Sequence, residues 1–75
     1  MPKLPRASGK EAIRVLEKLG FVQVRQKGSH VILRKETEGG VIGCVVPLHD
    51  ELAAGTLRGI LKQAQVELDN FVEWL

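Results

Sequence analysis

Apolar positions along this chain recur first at helical spacing, then in alternation, then at helical spacing again. Ala12, Ile13, Leu16 and Leu19 fall three or four residues apart, the period of one face of an α-helix. Ser8-Gly9-Lys10-Glu11 precedes them as a capping box, and Gly20 follows as a left-handed stop, so a first helix is expected over roughly 9–19. From Val22 the rhythm changes to two: Val22 and Val24 alternate with Gln23 and Arg25, and Val31 and Leu33 alternate with His30 and Arg34. This reads as a β-hairpin. With Lys27-Gly28 as a two-residue loop, Val24 would face Val31, Val22 would face Leu33, and Arg25 would face His30. Both valine-rich rows then share the core side, while Arg25, His30 and, two same-face positions along, Arg34 share the other.

Glu36 to Gly40 is a polar, Gly-ended loop, and Val41 to Pro47 supplies a third strand ended by its proline. Thr56 is placed to cap a helix whose buried stripe is Leu57, Ile60, Leu61 and Ala64, and Leu68, Phe71, Val72 and Leu75 repeat the spacing in a last helix. The expected class is α+β, in the order α-β-β-β-α-α, with helices on one face of a three-stranded antiparallel sheet. The opposite face, bearing His30, is left open to a partner.

At 75 residues the chain suits one domain, 1–75, with a modest core. Its longest uncharged run, Gly39 to Leu48, falls far short of the ~20 residues a spanning helix needs, and no basic-then-apolar leader opens it, so no membrane association and a cytoplasmic location are expected. The one cysteine, Cys44, lies in an apolar run and reads as a buried structural thiol.

The net charge of +2 conceals a division. Residues 1–35 hold nine basic and two acidic residues, 9 − 2 = +7, and residues 36–75 hold two basic and seven acidic, 2 − 7 = −5. The basic half is a candidate phosphate-binding surface. Within it, Arg25, Lys27, Gly28, Ser29, Arg34 and Lys35 surround His30, and Lys10 opens the first helix. A histidine titrates near neutrality, so among cations it suits proton transfer on a bound polyanion, and RNA is the polyanion expected. A neutral imidazole can take the proton of a 2′-hydroxyl that attacks the adjacent phosphate, while Arg25, Lys27 or Arg34 stabilises the charge that develops. This route needs no metal or cofactor, but one histidine leaves the acid for the departing oxygen open among His49, a lysine and water.

Other constellations carry less. His49, between Pro47 and Asp50-Glu51, reads as a polar residue ahead of a helix and is not taken as catalytic. Ser29 and His30 are strand neighbours that point to opposite faces, which excludes a serine-hydrolase pair. Two histidines 19 residues apart and a cysteine on an apolar strand make no zinc spacing, and no phosphate-cradling Walker loop is present. Thr56-Leu57-Arg58 could clamp a phosphate, but capping explains the threonine; Phe71 fits the apolar stripe, and Trp74 reads as covering core or meeting a partner chain.

Ser8-Gly9-Lys10-Glu11, Leu19-Gly20-Phe21, Arg25-Gln26-Lys27-Gly28-Ser29-His30, Pro47-Leu48-His49 and Gly55-Thr56-Leu57-Arg58-Gly59-Ile60-Leu61-Lys62-Gln63-Ala64, in this order over nearly the whole chain, resemble HicA toxins, the mRNA interferases of HicAB toxin–antitoxin systems. The resemblance implies a double-stranded-RNA-binding-domain-like fold, α-β-β-β-α, and metal-independent, ribosome-independent cleavage of mRNA that halts translation and growth. It carries the catalytic role of the Gly-Ser-His histidine onto His30, with Gly28 and Ser29 matching its neighbours. It also implies a HicB-type antitoxin that occludes this region. The chain departs from that pattern in Val66 to Leu75, whose helical character would suit an added helix or a weak homodimer contact. A non-catalytic RNA-binding module using the same basic face is the alternative reading, and a protein-binding adaptor the third.

Overall fold

The computed structural model describes residues 3–75, so the first two residues of the expected 1–75 domain lie outside the described residues. Its elements are α1 (Gly9–Lys18), β1 (Val22–Lys27), β2 (His30–Thr37), β3 (Gly40–Pro47), α2 (Ala54–Ala64) and α3 (Leu68–Trp74). The strands form one antiparallel sheet in the order β1-β2-β3. This is the expected α+β order, α-β-β-β-α, followed by the added helix.

Local chemistry sets the boundaries of α1. The Ser8 hydroxyl accepts from the Glu11 amide at 3.0 Å and the Glu11 carboxylate accepts from the Ser8 amide at 2.9 Å, which pairs two otherwise orphaned donors. At the other end Gly20, at φ +102°, lets the Phe21 amide reach the Leu16 carbonyl at 3.0 Å and the Gly20 amide reach Glu17 at 3.1 Å. That closure drives Phe21 into the core, where it is 3 % exposed.

The core lies between the helices and the β2–β3 half of the sheet. Ala12, Ile13, Val15 and Leu16 of α1 and the expected stripe Leu57, Ile60, Leu61 and Ala64 of α2 pack with Val31, Leu33, Cys44 and Val46. Phe71 anchors α3 and is fully buried, Leu68 packs half-buried against the core, and Val72, Trp74 and Leu75 remain exposed, so the last helix buries only part of the expected stripe. Cys44 is buried as expected, and burial pushes its thiol up to about 11.

Three further expectations change. The first loop is Gly28-Ser29, not Lys27-Gly28, and the register moves with it: Lys27 pairs with His30, Gln26 with Val31, Arg25 with Ile32, and Val22 with Arg34. The reason is the backbone of Gly28, at φ +60° with no positive φ at its neighbour, the pattern of a type II′ turn; glycine must then occupy the first loop position. A bulge between Gln23 and Arg25 absorbs Val24, and no residue of β1 is buried. Val22 and Val24, expected in the core, are 61 % and 49 % exposed. Second, β2 runs on to Thr37, so the loop before β3 shortens to Glu38-Gly39, with the Thr37 hydroxyl donating to the Gly40 carbonyl at 2.9 Å. Third, α2 begins at Ala54 with Ala53 as N-cap and no side-chain cap, which places Thr56 inside the first turn.

Candidate nucleic-acid interface

Val31 and Leu33 point into the core, so alternation along β2 sends His30, Ile32 and Arg34 to the face without helices. His30 is the first residue of β2 and is exposed. Its neighbours across the sheet are Lys27 on β1 and Pro47 on β3. The Leu48 amide donates to the Ser29 carbonyl at 2.7 Å, which makes His30 and Pro47 the non-hydrogen-bonded kind of pair, the kind that brings Cα atoms to about 4.5 Å. Proline, lacking an N–H, loses nothing at that position.

A second element closes on the same end of the sheet. The Gly9 amide donates to the His49 carbonyl at 2.9 Å, and the Leu52 amide donates to Ala7 at 2.8 Å. A Cβ at Gly9 would collide with the Pro47 carbonyl oxygen, so only glycine permits this approach. The first turn of α1, with exposed Lys10, therefore rests on Pro47–His49 beside the Gly28-Ser29 loop. The Gln26 side-chain amide donates to the Gly28 carbonyl at 3.0 Å and braces that loop.

The residues singled out in the sequence thus separate by position. Lys10, Lys27, Gly28, Ser29 and His30 are gathered at one end. Arg25 shares the open face but stands opposite Ile32, and Lys27 takes the place beside His30 expected for Arg25. Arg34 is on the open face four residues from His30, about 13 Å along the strand. Lys35 faces the helix side, paired with Ile42, its ammonium 5.8 Å from the centre of the Phe21 ring. It does not join the group around His30.

The hydrophobic pattern had concealed another feature. Val22, Val24, Val41 and Val45 are all exposed, and by cross-strand pairing Val22, Val41 and Val45 share the open face with half-buried Ile32. Val22, Val24, Arg34, Glu36 and Val41, with Gly20 and Lys35 at its border, line a groove of about 420 Å³ at the far end from His30. Alternation in β1 read as core because nothing local reveals which strands the helices reach. Among the described residues, no three His, Cys, Asp or Glu side chains converge as a metal site would require.

No curated protein matches this chain. Residues 9–66, from the first residue of α1 to just past α2, match the family described as the HicA toxin of bacterial toxin-antitoxin systems. The matched span holds the whole sheet, the Gly28-Ser29-His30 end and both helices that cover the core, and it leaves out α3. Since it takes in 58 of the 75 residues, counted from 9 to 66, the chain belongs to the HicA toxin family of bacterial toxin–antitoxin systems.

Proposed function

We propose that this toxin is an endoribonuclease that cuts mRNA through His30 and so blocks translation. The observation that carries this reading is the placement of His30: exposed, at the end of a strand beside a tight loop, with Lys27 directly across from it and Lys10 on the adjoining helix start. An extended RNA backbone can approach such an open sheet end, where the lysines attract phosphate without reading sequence. Neutral His30 takes the 2′-hydroxyl proton, the 2′-oxygen attacks phosphorus, and Lys27 stabilises the added negative charge.

The toxin's antitoxin is, on this reading, a HicB-type protein that covers the open face. The exposed valines around Ile32 supply apolar contact area there, and Arg25 and Arg34 suit an acidic partner. The protein acts in the cytoplasm, where mRNA is its substrate; among the described residues no helix is long and apolar enough to cross a membrane.

Cleavage of a labelled mRNA in EDTA by the purified protein and by His30→Ala, both checked for folding by circular dichroism, tests the reading. Cutting by the wild type and its loss in the folded variant support it. RNA binding without cutting by either protein would replace it with the non-catalytic RNA-binding module.

A further inference from the structure

The departing 5′-oxygen needs a proton, and we infer that the His49 imidazole supplies it, making His49 the general acid opposite His30. The inference rests on the nuclease reading above and completes it. In the sheet, His30 stands opposite Pro47, and the 2.7 Å bond from the Leu48 amide to the Ser29 carbonyl carries the same register one pair beyond β3. Pro47, against which the start of α1 rests, is buried, Leu48 packs against the core, and His49, two residues past the end of β3, is exposed; alternation continued past the strand puts it on the side of His30. Continued one step beyond the Leu48–Ser29 bond, the register would set exposed His49 diagonally from His30, a relation that in a sheet spans about 7–8 Å between Cα atoms and lies within reach of long side chains. Two imidazoles so placed can flank one phosphodiester, one near each of the two oxygens that exchange at phosphorus.

The backbone holds this relation without using the side chain. The His49 carbonyl accepts from Gly9 at 2.9 Å, which pins the residue to the start of α1 and leaves the ring free. Of the ionisable residues gathered here, Lys10, Lys27 and Asp50 are poorly matched to the role. A lysine ammonium is a weak acid at neutral pH and a carboxylate is already deprotonated, while imidazole titrates near neutrality and so can both hold and release a proton.

The step balances. His30 removes the 2′-hydroxyl proton as the 2′-oxygen bonds to phosphorus. The bond from phosphorus to the 5′-oxygen breaks, and that oxygen takes the proton of the His49 imidazolium. The products are a 2′,3′-cyclic phosphate and a 5′-hydroxyl, with His30 protonated and His49 neutral.

An RNA oligonucleotide in which sulfur replaces the 5′-bridging oxygen at the cut site separates the two roles, because a thiolate leaves without being protonated. Wild type, His30→Ala, His49→Ala and His49→Asn are compared on this RNA and on its all-oxygen twin, with folding checked by circular dichroism. The expected result is that both His49 variants lose roughly 10²–10⁴ in rate on the oxygen RNA. On the sulfur RNA they cut nearly as fast as wild type, while His30→Ala is slow on both. Equal loss on the two RNAs would reduce His49 to a positioning or structural residue, and no loss on either would remove it from the reaction. A wild type that cuts neither RNA would instead overturn the nuclease reading itself, and the acid assignment with it.

Discussion

The two ends of the open sheet face are built differently. At the His30 end a type II′ loop, a proline-paired strand start and the first turn of α1 are tied by the Leu48–Ser29 and Gly9–His49 backbone bonds, and charge predominates. At the Arg34 end the β1 bulge loosens the ladder, and Val22, Val24 and Val41 line a groove with Arg34 and Glu36. One end fixes polar groups in place, as a reaction centre requires, and the other offers apolar area, as a docking partner requires. On the proposed function, one sheet face would present its chemistry and its docking area side by side, so that a partner seated on one end would cover the other.

Four changes would break or sharpen this contrast. The largest effect belongs to His30→Ala, expected to lower mRNA cutting by roughly 10²–10⁴ without altering the far-ultraviolet circular dichroism spectrum. Next comes Gly9→Ala: its methyl group meets the Pro47 carbonyl, so α1 must shift from the His49 loop at a cost of about 1–3 kcal/mol, read as a lower urea midpoint together with slower cutting. If cutting survives that shift unchanged, the tight end is only structural. Smaller still, Val22→Ser with Val24→Ser should change folding stability by only about 0.5 kcal/mol per site, because both side chains are already exposed. The same pair should leave RNA cutting intact and weaken capture by the cognate antitoxin, measured by calorimetry; unchanged affinity would show that the groove is not the docking end.

The smallest effect concerns the cap that sets α1 against the His49 loop. The Ser8 backbone amide, followed by the Ser8 hydroxyl, holds the Glu11 carboxyl below its ordinary value of 4.5. Its folded-state value is depressed, so the contribution to stability is present above 4.5 and fades as pH falls through the lower folded value. Thermal melts of wild type and Glu11→Gln should therefore differ at neutral pH and converge in acid. A gap that persists in acid would mean that the cap acts through shape rather than charge.

Much of this was legible along the chain because it is decided locally. Ser8 and Glu11 close the α1 start within one turn, Gly20 ends it, and the stripe Leu57, Ile60, Leu61 and Ala64 is buried wherever α2 packs. His30 stood out by its basic neighbours, and the structure keeps Lys10, Lys27, Gly28 and Ser29 around it. The misread residues depended on distant ones. Val24 and Val31 alternate alike, yet Val31 is 2 % exposed and Val24 is 49 % exposed, because the helices cover β2 and β3 and stop short of β1. Lys35 looked like a neighbour of His30 in the chain, but strand alternation turns it to Phe21 on the other face.

The sequence by itself determined the class and order of the elements, the capped first helix, the two-residue loop at Gly28 within one position, and the lysine and tight loop beside His30, since each follows from residues no more than a turn or a hairpin apart. Only the tertiary structure decided the rest: which residue of β1 stands opposite His30, which valines stay in water, and that the Pro47–His49 segment returns to the Ser29–His30 end of β2. The first outcome turns on a one-residue choice of loop register made by the turn at Gly28, the second on how far the helices reach across the sheet, and the third on the close approach of Gly9 to Pro47.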